Sequence, residues 1–293
     1  MTPKIVLAFD EGPGIGLGHR RRVEGLAHEL GVLGFHVEMH VLGSEAVADE
    51  IVLVDSYRVR ADDTVRVRAD LVIAIDDIER DLAVDFVIDP DPGADARVHW
   101  AAKAVVAGAP YALVDPGLRA FPLTPMAEVV SRVLVTTGGS DADGHGTRVA
   151  TALADALPGM QIRQIVGPWG VGGDDDRIET VHAPDGLGPE LAAADLVVTA
   201  GGVTMLEACC LGRPVVAFSI AEGQGRALAG AAHVGAVVAV DVSSAAEVAA
   251  RLAHDVNTRS RLANSARVLV DGQGSARVAA VIAGMARHGV HAR

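Results

Sequence analysis

Along the first hundred residues, short apolar runs recur at residues 4–9, 36–41, 51–54, 71–75 and 86–88, and a helical pattern of apolar positions opens near His19. Runs this short, apolar on both faces and interleaved with helical stretches, predict parallel strands covered by crossover helices. Around residues 110–125 the pattern lapses into Pro116, Gly117, Pro122 and Pro125, which reads as an interdomain linker. A second series then starts at residues 132–137 and continues through 161–166, 180–182, 196–199, 215–220 and 236–240. The predicted fold class is α/β, with two Rossmann-like open parallel-sheet domains, residues 1–122 and 123–293, facing across a cleft. Ligands of such sheets bind at the carboxyl ends of the strands, so the loops after the apolar runs are where chemistry is expected.

Composition sharpens this picture. Half of the 293 residues are apolar but only 3% are aromatic, so the core must be built from Ala, Val, Leu and Ile. The net charge of −13 argues against a nucleic-acid partner or an anionic membrane surface. The one short basic cluster is Arg20-Arg21-Arg22, and for at least two of these three a solvated helix face is the expected setting. Cys209 and Cys210 are neighbours in an apolar helical stretch, which offers neither a disulfide framework nor metal-ligand spacing. The acidic loop Gly172-Gly-Asp-Asp-Asp176 lacks EF-hand spacing and reads as a solvated turn. No signal-peptide pattern is visible, and no charge-free apolar run reaches the ~20 residues that span a bilayer. A cytoplasmic protein without an integral membrane segment, cofactor or metal is therefore expected; the composition leaves its oligomeric state open.

Two segments carry chemistry. Asp10-Glu-Gly-Pro-Gly-Ile-Gly-Leu-Gly-His19 follows a predicted strand and opens a helix. Glycines let backbone approach a ligand closely, a helix N-terminus favours negative charge, and an imidazole there can move a proton near neutral pH. The spacing of Gly14, Gly16 and Gly18 fits neither the dinucleotide fingerprint nor a phosphate-binding P-loop. A tight turn carrying an exposed histidine is the alternative. The second segment, Leu196-Val-Val-Thr-Ala-Gly-Gly-Val-Thr-Met-Leu-Glu-Ala208, again gives a strand, a glycine turn and a helix. Gly201 and Gly202 are expected to expose N–H groups, and Thr204 adds a hydroxyl, which together suit a diphosphate. Glu207, one turn on, can accept two hydrogen bonds from a ribose, or can simply be stabilised by the helix dipole.

With Gly212-Arg-Pro-Val-Val-Ala-Phe218 and Ala221-Glu-Gly-Gln224, this second region resembles the nucleotide-binding half of GT-B glycosyltransferase-like proteins. More narrowly, the chain is similar to the UDP-sugar hydrolases of pseudaminic acid biosynthesis, which act on UDP-2,4-diacetamido-2,4,6-trideoxy-β-L-altropyranose, and to their spore-coat polysaccharide relatives. The resemblance runs nearly end to end. It rests on Asp10, on Ile15-Gly16-Leu17-Gly18-His19 with Arg22 and Leu26-Ala27, and on Asp55-Ser-Tyr57. It rests also on Ile75-Asp76-Asp77, Gly108-Ala-Pro-Tyr-Ala-Leu-Val114 and Gly138-Gly-Ser-Asp141. Three positions depart from the pattern: Gly12 stands where a serine is usual, Gly14 where a polar residue is, and Gly223 where an asparagine is. Fewer side-chain donors then remain for the sugar, which leaves room for a related amino- or deoxysugar nucleotide.

The resemblance implies metal-independent, inverting cleavage of a UDP–sugar bond by water, with His19 as catalytic base. It places the diphosphate at Gly201, Gly202 and Thr204, and the ribose at Glu207. Uracil falls against the loop at Val166-Gly167-Pro168. Tyr57 and Gln224 become sugar contacts, although Tyr57 can equally be a packing residue. Asp10, Gly16, Gly18, Arg22, Ser140 and Asp141 complete the expected binding set, and Asp10 and Asp141 are the reserve candidates for the base. Two other functions share the same nucleotide half: a glycosyltransferase moving the sugar to an acceptor, and a nucleotide-sugar binding protein without catalysis.

Overall fold

A computed structural model of the chain describes residues 2–182, 186–221 and 223–288. The chain divides into two compact units. The first holds a six-stranded, all-parallel sheet of β1 (Lys4–Phe9), β2 (His36–Val41), β3 (Ile51–Asp55), β4 (Leu71–Ile75), β5 (Phe86–Asp89) and β6 (Ala104–Ala107), in the order β2-β1-β3-β4-β5-β6. Side chains alternate along each strand, so Ile5, Leu7 and Phe9 of β1 enter one buried cluster while Val6 and Ala8 enter another. The first cluster is closed by helix α1 (Gly18–Val32), through Val23, Leu26 and Leu30, and by Val278, Ala279, Ile282 and Ala283 near the end of the chain.

The second unit carries another all-parallel sheet, made of β7 (Arg132–Thr136), β8 (Gln161–Val166), β9 (Ile178–His182), β10 (Leu196–Ala200), β11 (Val215–Phe218) and β12 (Val238–Ala239). Its order is β9-β8-β7-β10-β11-β12, the doubly wound arrangement of dinucleotide-binding folds. Helix α2 (His145–Ala156) buries Val149, Ala150 and Leu153, spaced to form one face, on this sheet beside α6 (Ala245–Ala253). Between them in the chain lie α3 (Gly188–Ala193), α4 (Val203–Cys210) and α5 (Gln224–His233); α4 packs on β10 and β11 and is backed by α7 (Val256–Leu269).

Three differences from the sequence reading have physical reasons. The last helix, α8 (Gly274–His288), belongs to the first unit, although residues 123–293 were expected in the second domain. Its apolar stripe is needed to close the β1 face, and Gly274 sits so close to the 112–114 segment that a Cβ there would meet Ala112 O at 2.1 Å. The units change over at Pro116/Gly117 and again at Asp271/Gly272, and the short segment Gly12–Gly18 also groups with the second unit, so the chain changes unit more often than a single linker implies. Second, the connections from β3 to β6 contain no α-helix. The charge-rich stretch 56–70 forms turns and a short strand pair, Val47–Ala48 with Val67–Arg68, and Val47, Val59 and Val67 cover the second face of the sheet in a helix's place. Third, β6 escaped the periodicity because Lys103-Ala-Val-Val-Ala107 carries too little contrast at the sheet edge.

Candidate functional site

In the first unit, β1 is flanked by β2 on one side and β3 on the other, so the chain reverses its winding direction between β1 and β3. That switch point is where an open parallel sheet leaves a crevice beyond its carboxyl ends. The sequence fills the place with polar groups: Asp10 follows β1, Asp55 ends β3, and Asp76 and Asp77 follow β4. Helix α1 begins there too. Its buried face reads His19, Arg22, Val23, Leu26 and Leu30, so the stripe that is apolar over the sheet is polar where it overhangs the strand ends. Arg20 and Arg21 point outward and pair with Glu24, at 2.7 and 3.1 Å, as solvated helix-face residues do.

The buried groups form one network. His19, 5% exposed, places Nδ1 2.7 Å from Asp55 Oδ1. Arg22 donates to Asp55 with both Nε and Nη2 at 2.5 Å and reaches Asp77 with Nη1. Burial by itself would raise the Asp55 carboxyl, but Arg22 and then His19 outweigh it and bring the pKa down to about 2. Asp77 is lowered in the same way, with Arg22 again overcoming burial. Tyr57 sets its ring edge-on to His19, with centroids 4.5 Å apart and planes at 78°. The tyrosine keeps 40% of its surface exposed, yet packing around its hydroxyl, then the Asp77 charge, raises the phenol above its ordinary value. Asp10 is saturated: Ser56 Oγ and the Tyr57 amide donate to Oδ2 at 2.7 and 3.2 Å, and the Arg58 guanidinium donates to Oδ1 at 2.7 Å. A carboxylate committed to that many donors is a loop brace and a poor base.

In the second unit the winding reverses between β7 and β10, and the two glycine turns Gly138-Gly139 and Gly201-Gly202 follow those very strands. The residues Gly12–Gly18 group with this unit. Their turn closes by Gly16 N donating to Gly12 O at 2.9 Å, and Gly14 N donates to Ser140 Oγ at 3.0 Å. Backbones touch here without side chains between them: a Cβ on Gly167 would meet Gly138 O at 2.3 Å. Gly167→Ala is therefore expected to destabilise the protein by about 1–3 kcal/mol in urea or thermal unfolding; wild-type stability in that variant would contradict the packing described. Asp141 accepts from Thr137 Oγ1 and from the His145 and Gly146 amides at 2.8–2.9 Å, so it serves the N-terminus of α2.

The phosphate-turn expectation needs one correction. Gly201 N donates to Phe218 O and Gly202 N to Ala200 O, both at 2.9 Å, so neither amide is presented to a ligand. What the turn does is deliver α4 without a side-chain cap, with Val203 and Thr204 in its first turn and half-buried. Gln224 Oε1 accepts from Ile220 N at 3.0 Å, which aims its Nε2 toward Gly202, 3.8 Å from where a Cβ there would stand. Glu207 is buried one turn into α4, and Val166 is buried at the end of β8.

The structure thus brings His19, Asp10, Arg22 and Tyr57 together in the first unit. In the second it gathers Gly16, Ser140, Asp141, Val166 and Gly167 around one loop cluster, with Gly18, Gly201, Gly202, Thr204, Glu207 and Gln224 about the start of α4. Absent from the expected set are Asp55 and Asp77, the partners of His19 and Arg22. A signal for them was present: both lie in motifs that carry the resemblance, Asp55-Ser-Tyr57 and Ile75-Asp76-Asp77, and an acidic residue ends or follows four of the five apolar runs, at Asp10, Asp55, Asp76 and Asp89. Among the described residues no group of three or more His, Cys, Asp or Glu side chains could hold a metal ion, and no helix is long and apolar enough to cross a membrane.

No protein-family model matches the chain, and no curated protein matches it in sequence. Solved structures share its fold over nearly the whole length. Acinetobacter baumannii MurG superposes with a TM-score of 0.56 at 15% identity, covering 97% of this chain and 100% of that one. The glycosyltransferase SnogD from Streptomyces nogalater gives 0.54 at 16% identity, covering 97% and 99%. S. aureus MnaA, solved with UDP, gives 0.60 at 12% identity, covering 96% of each chain. At such identities the likeness is one of fold, and with the two six-stranded parallel sheets it places the chain in the GT-B-like class.

Proposed function

We propose that this protein cleaves a UDP-linked amino- or deoxysugar at the anomeric carbon with water, inverting its configuration and releasing UDP and the free sugar, as in the pathway to pseudaminic-acid-type precursors. The observation that carries the reading is the buried His19, held by hydrogen bonding at the switch point of a GT-B-like sheet. It is supported by a like-folded protein having been solved with UDP. The chemical difficulty is a weak nucleophile meeting an oxocarbenium-like centre as a diphosphate departs. A positioned base that takes the proton of water contributes typically ~100- to 10,000-fold. Negative charge developing on the leaving diphosphate is met by the first-turn amides and dipole of α4, with Thr204 and the Gln224 amide beside them, so that no divalent metal is required. Glu207 accepts from the ribose, uracil lies along the backbone at Val166 and Gly167, and Tyr57 and Gln224 meet the sugar. Asp10, Arg22, Ser140 and Asp141 shape the site by holding its loops.

Removing the ribose acceptor is expected to cost affinity. In Glu207→Ala, UDP binding by calorimetry should weaken by about 10-fold or more, the worth of a charge-assisted hydrogen bond. Unchanged affinity, or strict dependence on magnesium, would move the nucleotide elsewhere. The function itself is tested by a mass-spectrometric screen of nucleotide sugars for one that loses its sugar with no acceptor present.

A second reading, sugar transfer to an acceptor hydroxyl with His19 taking that hydroxyl's proton, is favoured by one observation: a similarly folded solved structure is a glycosyltransferase by name. In that case the nucleotide sugar stays intact until acceptor is added.

A further inference from the structure

Asp55 lies at the end of β3 with no exposed surface, and three nitrogens converge on it: Arg22 Nε donates to Oδ2, Arg22 Nη2 donates to Oδ1, and His19 Nδ1 lies 2.7 Å from Oδ1. Clamped by the arginine fork, this carboxylate is ionised throughout the neutral range. An ionised carboxylate can only accept hydrogen bonds. At 2.7 Å an unprotonated Nδ1 would set its lone pair against those of Oδ1, so the ring must carry its proton on Nδ1. The Arg22 Nη2 atom, 3.1 Å from the same nitrogen, is a donor as well; its contact with Asp55 Oδ1, at 2.5 Å, is the shorter one, and Oδ1 at 2.7 Å is also nearer to Nδ1 than Nη2 is, so the carboxylate is the dominant partner of both nitrogens. In a neutral imidazole the free lone pair is then on Nε2. Edge-on packing by Tyr57 keeps the ring in this orientation.

The geometry points to Asp55 as the positioning residue that holds His19 in the Nδ1–H form and leaves Nε2 as the proton acceptor. Its catalytic consequence rests on the hydrolase reading above, whereas the tautomer itself does not. Arg22 joins it by keeping Asp55 ionised and fixed in place, which gives a physical role to the one arginine of the basic cluster that is buried.

The test is nitrogen NMR of histidine-labelled, ligand-free protein at about pH 8.5, with the His19 signals identified by their loss in His19→Asn. The expected spectrum has Nδ1 protonated and Nε2 bare. In Asp55→Asn the carboxamide N–H can turn toward the ring, and the expected result is a switch to the Nε2–H form. With it, turnover of the nucleotide sugar should fall on the order of 100-fold or more while UDP affinity stays within about 2-fold. A wild-type ring protonated on Nε2 overturns the proposal without recourse to any variant, and so does an Asp55→Asn protein that switches tautomer yet keeps wild-type turnover. If the wild type turns over no nucleotide sugar, the hydrolase reading and the catalytic role of Asp55 fall together, while the spectrum still decides whether Asp55 sets the tautomer.

Discussion

Replacing His19 by asparagine is expected to lower turnover by at least ~100-fold, the lower end of what a positioned base supplies, with UDP affinity nearly unchanged. The separation follows from where the groups lie. His19 belongs to the first unit, whereas Glu207, Gln224 and the start of α4 belong to the second. The two carboxylates that flank the glycine loops offer no substitute base: Asp10 is taken up by Ser56, Tyr57 and Arg58, and Asp141 by the start of α2. Steady-state kinetics beside calorimetry checks this. A variant that keeps its turnover, or loses it only in proportion to lost affinity, would reduce His19 to a structural or orienting role.

The largest effect on stability is expected at Arg22. In Arg22→Met the methylene stem is roughly preserved, but Asp55 and Asp77 lose the cation that offsets their burial. Leaving buried charges without their partner costs about 3–5 kcal/mol. The sign of the pH dependence also reverses. In the wild type the Asp55 carboxyl sits at about 2, below the ordinary value of ~3.9, so its stabilising contribution is complete above roughly pH 4 and is lost as pH falls toward 2. Without Arg22, burial is the leading influence and pushes the carboxyl up, so the variant should be least stable at neutral pH and recover ground on mild acidification. Unfolding curves between about pH 4.5 and 8 measure this, and a pH-independent loss would argue that Arg22 acts through packing alone.

Much of the fold is legible in the chain because buried parallel strands are written as short apolar runs. Five strands of the first sheet fall where the runs do, and so do those of the second, with β12 shorter than its run. What periodicity could not convey is which unit a segment completes. The stripe of α8 is an ordinary amphipathic pattern, and only the open face beneath β1 determines that Val278 and Ile282 lie in the first unit. The candidate site divides in the same way. His19 was recognisable from a glycine loop between a strand and a helix, but its partner Asp55 is 36 residues away in the chain, and only the pairing of β1 with β3 brings the two together. The Gly201-Gly202 turn was legible as a place, whereas the use of its amides was not: whether an N–H is free depends on the neighbouring strand, and Phe218 O claims one of them.

The central claim, that water and no other acceptor receives the sugar, is tested most directly by a proton NMR time course of the wild type with a nucleotide sugar from the screen and no added acceptor. The expected products are UDP and a free sugar whose first-formed anomer is inverted relative to the substrate, in a reaction that proceeds in the presence of a chelator and is slowed by at least ~100-fold in His19→Asn. A nucleotide sugar that persists unchanged until an acceptor hydroxyl is supplied, or a first-formed anomer of retained configuration, would contradict it.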